Sequence, residues 1–390
     1  MSKTLQDYAT LINDTIQSNE INHYITTDNM CQNLGGIDTF KNINIPQGKV
    51  RSFQKDDILL SNIRLYFRKV YRAKQKGGCS SDVLVFRAKH IDSATLFAIL
   101  SSQIFTDYAC SGSQGSKMPR GNKTHMMNFK IPTINFTIAK IFNSIQNKIE
   151  NNHKINELLH KILELLYEQY FVRFDFLDEN NKPYQTNGGK MKFSKELNRL
   201  IPNDFEVKTL GELITWISGS QPPKSCHIYE YKEGYIRFIQ NRDYSSNDYV
   251  TYIPISKNNK ICYQYDIMID KYGEAGTVRF GLQGAYNVAL SKISVLNQSM
   301  QEYIRSYLNS KPIKKYLSNA CMVSTRASLN ENHIYSLMLP IPPINLLQKY
   351  EKIAKNIITA IIKNNQATQT LTTIRDFLLP LLLKQQVKPE

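Results

Sequence analysis

From Ile134 to Phe171, apolar residues return in a heptad frame, with no Gly in the stretch and no Pro after Pro132. One seam position holds Ile138, Ile145, Asn152, Leu159 and Leu166; the other holds Phe142, Ile149, Asn156, Leu163 and Tyr170. That spacing predicts a long helix whose apolar stripe needs a partner of the same kind. A second stretch beginning at Ile344 supplies one, with Leu346, Ile353, Ala360, Ala367 and Ile374 at one position and Tyr350, Ile357, Asn364, Leu371 and Leu378 at the other. The two frames superpose at a spacing of 208 residues, where Asn156 meets Asn364. A polar pair inside an apolar seam can fix its register; the plainer alternative is a local break where each Asn faces water.

The repeat extends beyond the helices. Lys3-Thr4-Leu5 recurs as Lys208-Thr209-Leu210, and Asp57-Ile58-Leu59-Leu60 as Asp266-Ile267-Met268-Ile269. Tyr108 recurs as Tyr316, His125 as His333, and Ile131-Pro132 as Leu339-Pro340. Small shifts in offset between blocks are what loop insertions produce. Residues 1–133 and 207–341 alternate in short segments such as DDILLSNI, VLVFRAK, GYIRFIQ and YDIMID, cut by Gly, Asn and Ser, which read as strands and turns. Each strand region leads into a stretch of helical spacing, SATLFAILSSQIFTDYA or QEYIRSYLNSKPIKKYLS, then a polar basic loop, a short strand ending at Pro132 or Pro340, and the long helix. The expected architecture is α+β: a globular domain over 1–133, a helix over 134–171, a linker over 172–206, a second domain over 207–341 and a helix over 342–385. The two helices pair most simply as an antiparallel coil. About 38 residues at 1.5 Å rise would span roughly 57 Å. The linker is polar but carries Phe174, Phe176, Tyr184 and Phe193, so it is expected to pack on something rather than hang free.

Charge then narrows the partner. Lys and Arg number 49 against 33 Asp and Glu, a net charge of +16, which favours a polyanion such as nucleic acid. The six Cys are scattered without a C-x-x-C, pointing to reduced thiols rather than disulfides or zinc. No stretch has the layout of a signal peptide or approaches the roughly 18 apolar residues of a membrane span, so a cytoplasmic protein is expected.

Candidate DNA contacts fall in the basic loops and strand-end turns. Lys117, Arg120 and Lys123 lie in GSQGSKMPRGNK; Ser324, Thr325 and Arg326 lie at the matching place of the second half. Arg64, Arg68, Lys69 and Arg72 follow a predicted strand in the first half, and Gln240, Asn241, Arg242, Lys271, Tyr272 and Arg279 do so in the second. Arg suits guanine O6/N7, and Asn or Gln suits adenine N6/N7, although the same groups serve as phosphate clamps or as solvated surface. Catalytic motifs are missing: no N-P-P-[YF] or D-P-P-Y, and no P-loop. Asp204, Glu206 and Lys208 resemble half of a nuclease metal site, but such a site needs another carboxylate a strand away. The plainer reading is that Phe205, Val207 and Leu210 open the second domain's first strand.

The segment between the halves is more specific. Tyr170-Phe171-Val172, Phe174-Asp175-Phe176, Lys182-Pro183-Tyr184, Gly188-Gly189-Lys190-Met191, Ile201-Pro202, Glu206-Val207-Lys208 and Leu210-Gly211 resemble the central region of type I restriction–modification specificity subunits. Phe205 stands where that family usually has Trp, and Leu347-Gln348 where Glu-Gln is frequent. The resemblance implies two target-recognition domains, each reading one half of an interrupted DNA site, and a helical pair that sets the gap and docks two methyltransferase subunits. It also implies that S-adenosylmethionine, ATP and Mg²⁺ belong to partner subunits, including a restriction motor-nuclease, and that this chain binds no cofactor or metal and has no catalytic residue. Two alternatives stand beside it: a specificity subunit of a stand-alone or type II-like methyltransferase, and a DNA nuclease.

Overall fold

The computed structural model describes residues 3–39, 41, 43–131, 134–245, 247, 249–321 and 328–382. The chain divides into two compact units, residues 1–156 with 364–390 and residues 157–363. The expected strand end at Pro132 lies outside the described residues.

In the first unit, helix α1 (Leu5–Tyr8) leads into strands β1 (Ala9–Ile12), β2 (Thr15–Gln17), β3 (Tyr24–Ile25), β4 (Lys49–Phe53), β5 (Ile58–Ser61), β6 (Val70–Arg72), β7 (Gly77–Cys79) and β8 (Val83–Ala88). They form two four-stranded sheets, β1-β8-β5-β6 and β2-β4-β7-β3. Pairing is antiparallel except where Tyr24 and Ile25 of β3 run parallel to Gly78 and Cys79 of β7. Side chains alternate across a strand, and β5 uses both faces. Ile58 and Leu60 join a core with Phe86, Leu96 and Phe105, while Leu59 joins another with Phe53, Val83 and Val85. The helical stretch after β8 is two helices, not one: α2 (Ser93–Ser101) and α3 (Gln103–Ser111). Ser102 between them is extended, and its hydroxyl accepts from the Phe105 amide. Such a serine offers the chain a fresh N-cap instead of a continuous turn. Helices α4 (Lys123–Met127) and α5 (Phe136–Tyr167) follow, and α5 ends in a widened π-turn over Glu168–Val172.

The second unit repeats this plan. Its strands are β9 (Met191–Ser194), β10 (Arg199–Pro202), β11 (Glu206–Thr209), β12 (Ile214–Ser218), β13 (Tyr235–Ile239), β14 (Tyr252–Pro254), β15 (Ile261–Cys262), β16 (Ile267–Asp270), β17 (Val278–Arg279), β18 (Gly284–Tyr286), β19 (Leu290–Val295) and β20 (Met338–Ile341). The sheet β12-β19-β16-β17 has the connectivity of β1-β8-β5-β6, and β13 runs parallel to β18 as β3 does to β7. The other sheet differs at its edges. Strand β14 adds beside β13, whereas in the first unit the extra strand β2 lies beside β4. The second helical stretch also breaks at a serine, Ser310, between α6 (Gln301–Asn309) and α7 (Lys311–Cys321). Helix α8 (Glu331–Tyr335) and β20 then lead to α9 (Ile344–Leu382). The linker is part of this unit's core: Phe174, Phe176, Ile201 and Phe205 are buried with Phe171, Tyr303 and Tyr350. Phe193, on the β9–β10 hairpin, is exposed instead.

Helices α5 and α9 run antiparallel within each unit. In the first, Phe142 shares a core with Leu379, the Asn152 amide donates to Thr368, and Asn156 donates to Asn365 Oδ1 (2.8 Å) and accepts from Asn364 Nδ2 (2.9 Å). In the second, Leu159 and Leu163 pack with Ile357, Ile358, Ile361 and Ile362, and Phe171 meets Tyr350 edge-on at 4.8 Å. The buried stripe leaves the heptad frame. Gln146, Tyr167, Ala354, Ile358 and Arg375 are buried although no frame position includes them, while Ile353, Ala367 and Ile374 face outward. A straight helix drifts about 20° per heptad against a 3.5-residue repeat, so a frame set at one end misses the inner face at the other. Of the expected seam, Phe142, Ile149, Asn156 and Tyr350 are buried; Leu163, Ile357, Asn364 and Leu371 are half-buried. No helix among the described residues is long and apolar enough to cross a membrane.

Candidate nucleic-acid interface

Each unit presents a turn after its central strand, β5 or β16, clasped by the loop that precedes α4 or α8. In the first unit the Asn62 amide donates to Asp82 O (2.7 Å) and the Gly121 amide donates to Asn62 O (3.1 Å). In the second, the Lys271 amide donates to Ala289 O (2.8 Å) and the Leu329 amide donates to Lys271 O (3.0 Å). The two clasps are the same construction, displaced by the length of the repeat.

The first clasp gathers Arg64, Lys117 and Arg120. Gln114 and Arg120 exchange backbone hydrogen bonds, closing a loop whose tip exposes Lys117 and Met118. Gly115, at φ +98, makes the reversal that a side chain would resist. The Arg64 amide donates to Pro119 O and its guanidinium to Lys117 O, which ties the turn to the loop. Arg120 stays mostly exposed while paired with Asp82 at 3.0 Å. Lys123 is the exposed first residue of α4, behind an Asn122 cap that accepts from the His125 amide. His125 itself stacks on Tyr108 at 4.1 Å and packs the turn. Three neighbouring cations point elsewhere. Arg68 donates to Ser101 O, and burial lowers its pKa. Lys69 donates to Thr27 O, again with its pKa lowered by burial. Arg72 is held by Asp56 and Asn143.

The second clasp gathers Asn241, Arg242, Lys271 and Tyr272. Gln240 caps the short turn that follows β13, its amide donating to Asp243. The Asn241 side-chain amide donates to Tyr272 O (3.2 Å), which joins this turn to the one after β16. Arg242 lies over the exposed Tyr249 ring and the Lys271 ammonium over Tyr272, each at 5.7 Å. Arg279 turns inward to Asp270 (3.0 Å) and Glu274 (2.7 Å). Burial pulls on its charge, yet the bonds to Asp270 and Glu274 outweigh that and raise its pKa. Ser324, Thr325 and Arg326 lie outside the described residues. Tyr249 was not among the expected contacts; no spacing in the sequence announces that its ring would lie under Arg242.

Exposed guanidinium, ammonium and carboxamide groups held on a fixed backbone can bind phosphates or read base edges. The half-nuclease motif has a plainer geometry. Glu206 and Lys208 pair with each other at 3.6 Å on β11, an edge of the small β11-β20 sheet. Among the described residues no three His, Cys, Asp or Glu side chains gather as a metal ion would need.

Residues 202–373 match the family model described as the type I restriction modification DNA specificity domain. Those residues, a little under half of the chain, carry a type I restriction–modification specificity domain. The chain is 24% identical over 307 residues to the type I restriction enzyme MjaIX specificity subunit of Methanocaldococcus jannaschii, covering 76% of this chain and 69% of that one. It is 21% identical to the MjaVIII specificity subunit of the same organism, over 50% of this chain and 45% of the other. The crystal structure of a type I restriction-modification S subunit from M. genitalium superposes with a TM-score of 0.63 at 15% identity, covering 99% of this chain and 96% of that one, a likeness of fold. The paired clasps are the DNA-facing candidates.

Proposed function

We propose that the two units each read one half of an interrupted duplex DNA site through their clasped turns, and that the α5–α9 pair sets the gap. The observation that carries this reading is the repetition of one clasp, Asn62 with Gly121 and Lys271 with Leu329, at the end of the same strand in both units. Arg64, Lys117, Arg120 and Lys123 would serve one half-site; Asn241, Arg242, Lys271 and Tyr272 would serve the other. In this reading two adenine-N6 methyltransferase subunits dock on the outer faces of the helix pair, where Leu158, Ile162 and Leu165 are exposed at helical spacing. S-adenosylmethionine, ATP and Mg²⁺ belong to these subunits and to a motor-nuclease. The chain works in the cytoplasm without catalysing a step itself.

The test is co-expression with candidate methyltransferase subunits, followed by mapping of methylated adenines. A bipartite site with a constant gap is expected. Replacing Lys117 and Arg120 with Ala should weaken recognition at one half and leave the other intact; loss of both preferences together would refute the two-reader arrangement.

A further inference from the structure

Arg375 is among the largest fully buried side chains of the protein, at 1% exposure, on the part of α9 that belongs to the first unit. Its Nη1 donates to the carbonyl of Asn33 (3.3 Å) and to Gln146 Oε1 (3.2 Å) on α5. Its Nε and Nη2 are held by the neighbouring Asp376 carboxylate. Gln146, also 1% exposed, donates through Nε2 to the carbonyl of Leu34. The helix pair thus grips two successive carbonyls of one loop.

Those two residues are unusual. Asn33 and Leu34 have φ of +52° and +61°, and Leu34 is a fully buried branched side chain in the left-handed region. Such a conformation is unfavourable for any residue with a Cβ and persists only where surroundings over-determine it. Their amides supply the other half of the constraint, donating to Phe67 O (2.9 Å) and Arg68 O (3.1 Å). Phe67 and Arg68 close the turn after β5, which is framed by two further left-handed residues, Arg64 at +50° and Arg68 at +49°. Arg64 in turn holds the loop of Lys117 and Arg120. Polar contacts therefore run without a break from the helix pair, through Asn33-Leu34, to the clasp.

The repeat shows that helix pairing does not require this. At the spacing of 208, Arg375 corresponds to Tyr167 and Gln146 to Ala354; both are buried in the apolar core of the second unit. An uncharged pair, Tyr167 and Ala354, fills the equivalent place there. A guanidinium in that position carries a desolvation cost, so its presence calls for a role besides holding helices together.

We propose that Arg375 and Gln146 are positioning residues for the first unit's DNA reading, fixing the Asn33-Leu34 loop and through it the Arg64 turn. The proposal rests on the clasps being the reading surfaces. It is tested in the complex with methyltransferase subunits, by competition between the full site, a duplex altered in one half-site and a duplex altered in the other. The half-site read by the first unit is the one whose discrimination falls with Lys117→Ala and Arg120→Ala. Arg375→Met should then lower discrimination at that half-site about tenfold and leave the other unchanged, with Arg375→Lys recovering part of the loss. Gln146→Leu, which leaves the bond from Arg375 to Asn33 O in place but cannot donate to Leu34 O, gives a second variant if Arg375→Met fails to fold. Equal loss at both half-sites, or no change at the first in a folded variant, would overturn the proposal. If the unsubstituted complex shows no half-site preference, or Lys117→Ala and Arg120→Ala weaken both halves alike, the reading of the clasps fails instead.

Discussion

Single side chains show where burial and charge compete. Glu351 on α9 accepts from the Glu302 amide at 2.8 Å, and burial beside the Glu302 carboxylate raises its pKa from 4.5 to about 7 despite Arg305 and Lys355 nearby. A carboxyl whose folded pKa lies above its unfolded value binds protons more tightly in the native state. Its contribution is therefore full below the unfolded pKa and declines as pH rises toward the folded one. Urea midpoints should fall between about pH 4.5 and 7 for the native sequence, whereas Glu351→Gln, which keeps an acceptor for the amide, should flatten that decline. A second expectation concerns packing. Phe142 is fully buried against Phe97 at 5.5 Å, so Phe142→Ala should cost about 3–5 kcal/mol in a denaturation curve of the first unit. At this scale the sequence shows residue types but not partners. Arg64, Arg68 and Lys69 look alike in NIRLYFRKV, yet only Arg64 ties the turn to the basic loop, while Arg68 and Lys69 donate to carbonyls of Ser101 and Thr27. Those partners lie about 30 to 40 residues away in the chain, beyond the reach of any local pattern.

Elements were more legible than residues. The repeat offset alone marks both strand regions, both helical stretches and both long helices, because duplicated segments keep their order when loops change length; the break at Ser102 and Ser310 is not marked by it. What the pattern obscures is rotation. A seven-residue frame started near Phe142 tracks the inner face through Asn156, then places Ile353 and Ile374 inside when they point out. The Asn156 cluster tests the seam directly. Asn156→Ala removes both amide bonds to Asn364 and Asn365 from a buried position and should cost about 1–3 kcal/mol. Replacing Asn156 and Asn364 together by Leu should recover that loss or exceed it, because an apolar pair leaves fewer buried polar groups in want of a partner. Chemical denaturation of the single and double variants decides the matter; a double variant no better than Asn156→Ala would count against the seam as the source of the effect.

At the scale of the whole molecule, the excess of basic residues leads to a steep salt dependence of DNA affinity, with removal of each phosphate-contacting Lys reducing the log–log slope by about 1. Titration of a fluorescent duplex at several salt concentrations measures it, and an affinity that barely moves with salt would contradict DNA binding through the basic loops. The second unit is a single run of chain, while the first is assembled from two pieces, with Leu379 completing a core that begins at Leu5. During synthesis, therefore, the earlier-made unit waits for the later one: its last core residues leave the ribosome only after all of residues 157–363 have been made. Closing so long a loop is slow, and until it closes Phe142 and Ala139 have no α9 to pack on. A ribosome-bound chain stalled just after Lys363 has emerged should resist protease within β16 and β19 while α5 is still cut near Phe142. The order of birth and the order of folding would then run in opposite directions.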